Sequence, residues 1–91
     1  MFFNSACAQS DLQKNFLKYP GSFTVGNHID TAYPETEESC MERCRNVMYC
    51  RTVEYSVWWT CFLQNKTALD VPVSAWVTGE SDYNHYQKMC A

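Results

Sequence analysis

The sequence predicts an α+β domain, with one helix packed on an antiparallel sheet and disulfides holding the layers together. Three observations carry this reading: a well-capped helical segment, a run of period-two alternation after it, and six cysteines spread over 91 residues. A chain this short buries little apolar surface against the entropy of ordering it. An even number of cysteines is the usual supplement, and it implies an oxidising compartment, secreted or extracellular.

The elements follow in order. FLKYPGSFTVGNHI reads as a loop through Pro20 and Gly21, a short strand around Phe23 and Val25, and a turn near Gly26 and Asn27. In TEESCMERCRN, Thr36 is an N-cap, Glu37 and Glu38 suit the positive end of the helix dipole, and Arg43 and Arg45 suit the negative end. Cys40 and Cys44, one helical turn apart, leave the same face, and Val47 or Met48 extends that stripe. From Arg51 the period becomes two: Val53, Tyr55, Val57, Trp59, Cys61 and Leu63 alternate with Thr52, Glu54, Ser56, Trp58, Thr60 and Phe62. One strand of that length would far exceed the common one, so a hairpin bending between Ser56 and Trp59 is expected. NKTALDVPVS reads as irregular, Trp76 and Val77 as a short strand, and YNHYQKMC as the last strand. No repeat or linker divides the chain, which reads as a single domain over residues 1–91.

Composition excludes several classes of function. Hydrophobic residues at 46% and aromatics at 15% imply a packed globule. A net charge of −3, with seven Lys and Arg scattered singly, provides no stripe for nucleic acid or an anionic membrane. No apolar run approaches the roughly 20 residues that cross a bilayer. The opening MFFNSACAQS lacks the basic and apolar regions of a secretory signal, so a mature or excised extracellular domain is expected.

No catalytic constellation is visible. There is no Cys-x-x-Cys pair, no Gly-rich phosphate loop and no nucleophile elbow. His28 and His85 read as structural or surface residues, and DTAYPETEE lacks the alternating oxygen ligands and the central glycine of a calcium loop. A zinc site drawn from Cys40, Cys44, Cys50 or Cys61 with a histidine is disfavoured, because only Cys40 to Cys44 approaches knuckle spacing. The expectation is a non-enzymatic protein with no metal and no cofactor.

Cys40 and Cys44 have nearly parallel Cβ vectors, poor for bonding to each other and good for stapling their face to something opposite. Cys50 lies within reach of Cys44, and Cys61 on the hairpin within reach of Cys40. Sequence alone does not choose among the possible pairings. From Cys7 to Cys90 the chain resembles the PAN module, which includes the apple domains. The resemblance runs through FLKYPGSFTVGNHI, TEESCMERC with YC six residues on, VEYSVWWTCFL and a closing YNHYQKMC. It implies bridges Cys7 to Cys90, Cys40 to Cys61 and Cys44 to Cys50, around one helix on a twisted antiparallel sheet. It also implies an adhesion or recognition module that binds a protein partner or a carbohydrate. The alternative is a structural or self-associating surface module, such as a homodimer.

The sequence offers its own candidate contacts. Many PAN modules place small or polar turn residues where this chain has Val57, Trp58 and Trp59. In the plainer arrangement Trp59 joins Val53 and Tyr55 in the core and Trp58 packs under a loop. In the sharper one Trp58 stands at the hairpin tip as a rigid anchor. The expectation is that Trp59 fills the core and Trp58 points away from it. A second candidate patch is the last strand, where Tyr83 and His85, or Tyr86 and Lys88, combine rings with hydrogen-bonding groups on whichever side faces solvent. Asn65-Lys66-Thr67 is an N-glycosylation sequon.

Overall fold

The computed structural model describes residues 12–26, 28–66 and 71–90. Its elements are β1 (Leu12–Pro20), β2 (Phe23–Thr24), β3 (Asp30–Ala32), α1 (Glu37–Arg45), β4 (Thr52–Ser56), β5 (Thr60–Gln64), a 3-10 turn (Val73–Ala75), β6 (Trp76–Val77) and β7 (Tyr83–Cys90). Five strands form one antiparallel sheet in the order β1-β7-β4-β5-β3, and β2 pairs with β6 in a separate two-stranded ribbon. The α+β class is as the sequence predicts. β1 is a correction: the segment before Pro20 was expected as loop and is a strand, paired with β7 from Leu12↔Cys90 to Pro20↔Asn84, while β3 lies where the sequence reading assigned no element and pairs with β5.

The helix forms where its local signals place it. Thr36 accepts from the Ser39 N–H at 3.1 Å, and the Ser39 hydroxyl accepts from the Thr36 N–H at 3.1 Å, a reciprocal cap that satisfies two otherwise orphaned donors. Arg45 near the other end meets Glu42 at 3.0 Å and Glu38 at 3.2 Å. Cys40 and Cys44 form the buried face.

Register explains the layering. On β4, Val53 and Tyr55 share a face with Cys61 and Leu63 of β5 and Tyr86 of β7, and this face packs under the helix. Cys40 is bonded to Cys61 with Cα atoms 5.5 Å apart, and Cys44 to Cys50 at 5.3 Å, both within the normal span. These four half-cystines are fully buried, so among the described residues the framework occupies much of a buried cluster completed by Val53, Leu63 and Tyr86, with Phe16, Ala32, Met41, Val47 and Tyr55 packed against it. The Cys7 to Cys90 bridge lies outside the described residues.

The opposite face is polar yet also buried. Thr52, Glu54, Ser56, Gln64, His85 and Gln87 lie on it, covered by the β2-β6 ribbon. Glu54 Oε2 accepts from the Thr24 N–H at 2.7 Å, the Thr24 hydroxyl at 3.1 Å and His85 Nδ1 at 2.7 Å. Gln64 donates to the Thr24 hydroxyl at 3.0 Å and accepts from Thr52 at 2.7 Å. The ribbon is therefore docked by a connected set of hydrogen bonds, the form in which polar groups tolerate burial.

On the helix side, the Tyr86 hydroxyl donates to Glu37 Oε2, which also accepts from Asn84 Nδ2 at 3.1 Å. Burial first, and then the Glu37 carboxylate, push the Tyr86 hydroxyl far above its ordinary value of 10.0. The fold favours the neutral phenol, so this contribution is complete below pH 10.0 and declines as pH rises above it. Tyr86→Phe is expected to lower stability at pH 7 by about 1–2 kcal/mol in urea unfolding. Its deficit relative to wild type should shrink above pH 10.0, and a deficit that holds constant there would refute the assignment.

Candidate functional site

Val57, Trp58 and Trp59 form the loop between β4 and β5, which are in register up to Ser56↔Thr60. None of the three favours a turn, and Trp59 adopts φ 61°, the left-handed conformation that a glycine or asparagine commonly fills in three-residue hairpin loops. The loop is held on both sides. The Val57 N–H donates to the Asp82 carbonyl at 2.9 Å, the Glu35 N–H to the Trp59 carbonyl at 2.9 Å, and the Trp59 N–H to the Ser56 carbonyl at 3.1 Å. The Trp58 N–H also reaches the Ser56 hydroxyl at 3.3 Å.

This anchoring presents the rings rather than burying them. Trp58 is 55% exposed and Trp59 61% exposed. The expectation that Trp59 fills the core is thus corrected: the left-handed turn at Trp59 breaks the strand alternation, and Cys61 resumes it beyond the loop. Trp58 packs edge-on to Tyr83 with ring centres 6.1 Å apart. Trp59, with Pro34, Glu35, Thr36 and Ser39, borders an open depression of about 460 Å³ at the start of the helix.

The polar groups around that depression are already engaged. Glu35 accepts from Arg43 Nε at 3.0 Å and Nη2 at 2.8 Å, and from the Ser39 hydroxyl at 3.0 Å. Hydrogen bonds from Arg43, and then from Ser39, hold its carboxyl below the usual carboxylate range. Thr36 and Ser39 cap the helix. What the surface offers a partner is chiefly ring and aliphatic area.

The second candidate patch does not form a free surface. His85, Tyr86 and Lys88 are buried, and Tyr83 is half-buried. The reason is topological: β7 runs between β1 and β4, with the helix across one face and the β2-β6 ribbon across the other. His85 is wedged between the edges of Tyr19 and Trp76, with ring centres at 5.7 and 4.9 Å. Asn65 is exposed just past β5, while Thr67 of its sequon lies outside the described residues. Sequence reading missed Pro34 and Glu35 as neighbours of Trp59, because only the fold brings the chain before the helix beside the hairpin. Among the described residues, no group of three His, Cys, Asp or Glu stands close enough to hold a metal ion.

A non-glycine residue in the left-handed region costs roughly 1 kcal/mol. Trp59→Gly and Trp59→Ala both remove the ring, but only the alanine retains a Cβ in that conformation. The glycine variant is expected to be the more stable by about 1 kcal/mol in urea unfolding, the reverse of the usual order within a strand. Equal stabilities would show that the backbone at Trp59 carries no such cost.

A search of curated proteins finds no match to the chain. The family model of the PAN domain matches residues 7–90, nearly the whole chain, and the helix stapled to an antiparallel sheet agrees with it: the chain belongs to the PAN domain family.

Proposed function

We propose that this PAN domain is an extracellular, non-enzymatic recognition module that binds a partner protein through the Val57–Trp59 hairpin tip. Two adjacent tryptophans more than half exposed, on a loop hydrogen-bonded to Glu35 and Asp82, are the observation that carries this reading. A pinned aromatic tip loses little conformational entropy on binding, and tryptophan is enriched at the energetic centres of interfaces. A protein is favoured over a sugar because the polar side chains beside Trp59 are spent within the domain, leaving few to receive hydroxyl groups.

The test is an array of extracellular proteins set beside a glycan array, probed with wild type and with Trp58→Ala. Saturable binding to a protein that survives deglycosylation, weakened at least about thirtyfold in the variant, is the expected result. Binding that follows glycans, or a dimer in sedimentation that accounts for all association, would overturn it.

A further inference from the structure

Where β2 crosses β4 and β5, a pocket of about 150 Å³ opens, lined by Phe23, Thr24, His28, Glu54, Phe62 and Tyr83. That volume is several times the ~30 Å³ of a water molecule. It is well below the ~300 Å³ at which pockets begin to take whole drug-sized ligands. The pocket therefore accommodates one functional group of a larger ligand.

Its walls are aromatic. Phe23 and Tyr83 stand with ring centres 4.6 Å apart, and His28 and Phe62 with centres 5.0 Å apart. Its floor is a carboxylate: the Glu54 side chain is only 4% exposed, whereas His28 at the rim is exposed. Every hydrogen bond that the Glu54 carboxylate accepts among the described residues falls on Oε2, from Thr24 and His85. Oε1 is left as the acceptor that the pocket offers. Among the described residues, no lysine or arginine lines the pocket to satisfy it from within.

We propose that this pocket binds an ammonium group, primary or methylated, such as the head of a lysine side chain, with Glu54 as its counter-charge and the rings as its walls. A cation uses both features together: ring faces attract it through their quadrupoles, and a buried carboxylate oxygen accepts a charge-assisted hydrogen bond. A hydroxyl would use only the oxygen, and an anion would be repelled. The position of Glu54 is fixed from behind by Thr24 and His85, so the acceptor does not have to be organised when the ligand arrives.

The proposal goes beyond the recognition surface at the hairpin tip. The pocket is read with small probes, so its failure leaves the reading of Trp58 untouched, and the reverse also holds. Amide shifts in NMR spectra of the labelled domain would be followed during titration with n-butylammonium, with choline, and with 3,3-dimethylbutan-1-ol, the uncharged carbon analogue of choline. At least one of the two cations should shift the amides of Thr24, Gly26 and Phe62 saturably, and the carbon analogue should bind at least about tenfold more weakly. Glu54→Gln, which keeps an acceptor for Thr24 but removes the charge, should weaken cation binding at least about tenfold. Phe23→Leu serves as a second variant that removes a wall and leaves the carboxylate network in place, and it too should weaken the cation. Equal binding of the carbon analogue, no saturable shift with either cation, or galactose shifting those amides where the cations do not would overturn the proposal.

Discussion

Replacing Cys40 and Cys61 together by alanine is expected to lower the unfolding free energy by about 3 kcal/mol, and replacing Cys44 and Cys50 by about 2 kcal/mol. The order follows from loop length. The first bridge spans a sequence separation of 21 and the second a separation of 6, and the entropy withheld from the unfolded chain grows with the logarithm of the closed loop. The first bridge also ties the helix to the sheet, whereas the second closes the turn just after the helix. Either replacement removes two fully buried sulfurs from the core, so a packing cost adds to both losses and the difference between them rests on loop length. A domain of this size has a total stability on the order of 5–15 kcal/mol, so the loss is a large fraction of it. Urea unfolding followed by far-ultraviolet circular dichroism is the suitable measurement, since two of the three tryptophans are already exposed and their fluorescence reports folding weakly. Equal losses for the two pairs, or a larger loss for Cys44 with Cys50, would show that loop closure is not what the bridges contribute.

How much of this was legible beforehand depended on the range of the signal. The helix was legible because its cap, its charges and its two cysteines lie within ten residues of one another. The β4-β5 hairpin was legible from alternation too long for one strand. β1 was not, since LQKNFLKYP lacks alternation and its partner β7 lies at the other end of the chain, so only the long-range pairing makes it a strand. Trp59 was misplaced for a related reason: alternation carried through the bend assigns it to the core, whereas one residue in the left-handed conformation swings it outward. The polar face was the largest omission. Thr52, Glu54 and Ser56 alternate with apolar residues and so resemble a wet face, but Thr24, thirty residues before Glu54, arrives with β2 to donate its N–H and hydroxyl to Glu54 and closes that face.

That closure makes Glu54 the most consequential single residue outside the disulfides. Glu54→Leu keeps a side chain of similar bulk but removes the acceptor for the Thr24 N–H, the Thr24 hydroxyl and His85 Nδ1, all of them buried. Breaking one partner out of a buried hydrogen-bonded pair costs about 3–5 kcal/mol, because the donors left behind have lost both water and partner. Glu54→Gln retains an amide oxygen that can accept from Thr24 and is expected to cost no more than about 2 kcal/mol. The contrast isolates the network from simple size, since both variants fill the site. Pairing Glu54→Leu with His85→Leu should recover part of the loss, because the second change removes an orphaned donor along with a ring nitrogen, Nε2, that has no partner among the described residues. Hydrogen exchange at the Thr24 amide offers a local reading of the same event: its protection should collapse in Glu54→Leu more than that of Val53, whose face is held by the helix and its bridges. If Glu54→Leu were as stable as Glu54→Gln, the ribbon would be held by its apolar contacts alone, and the polar face would be a consequence of its docking rather than the cause.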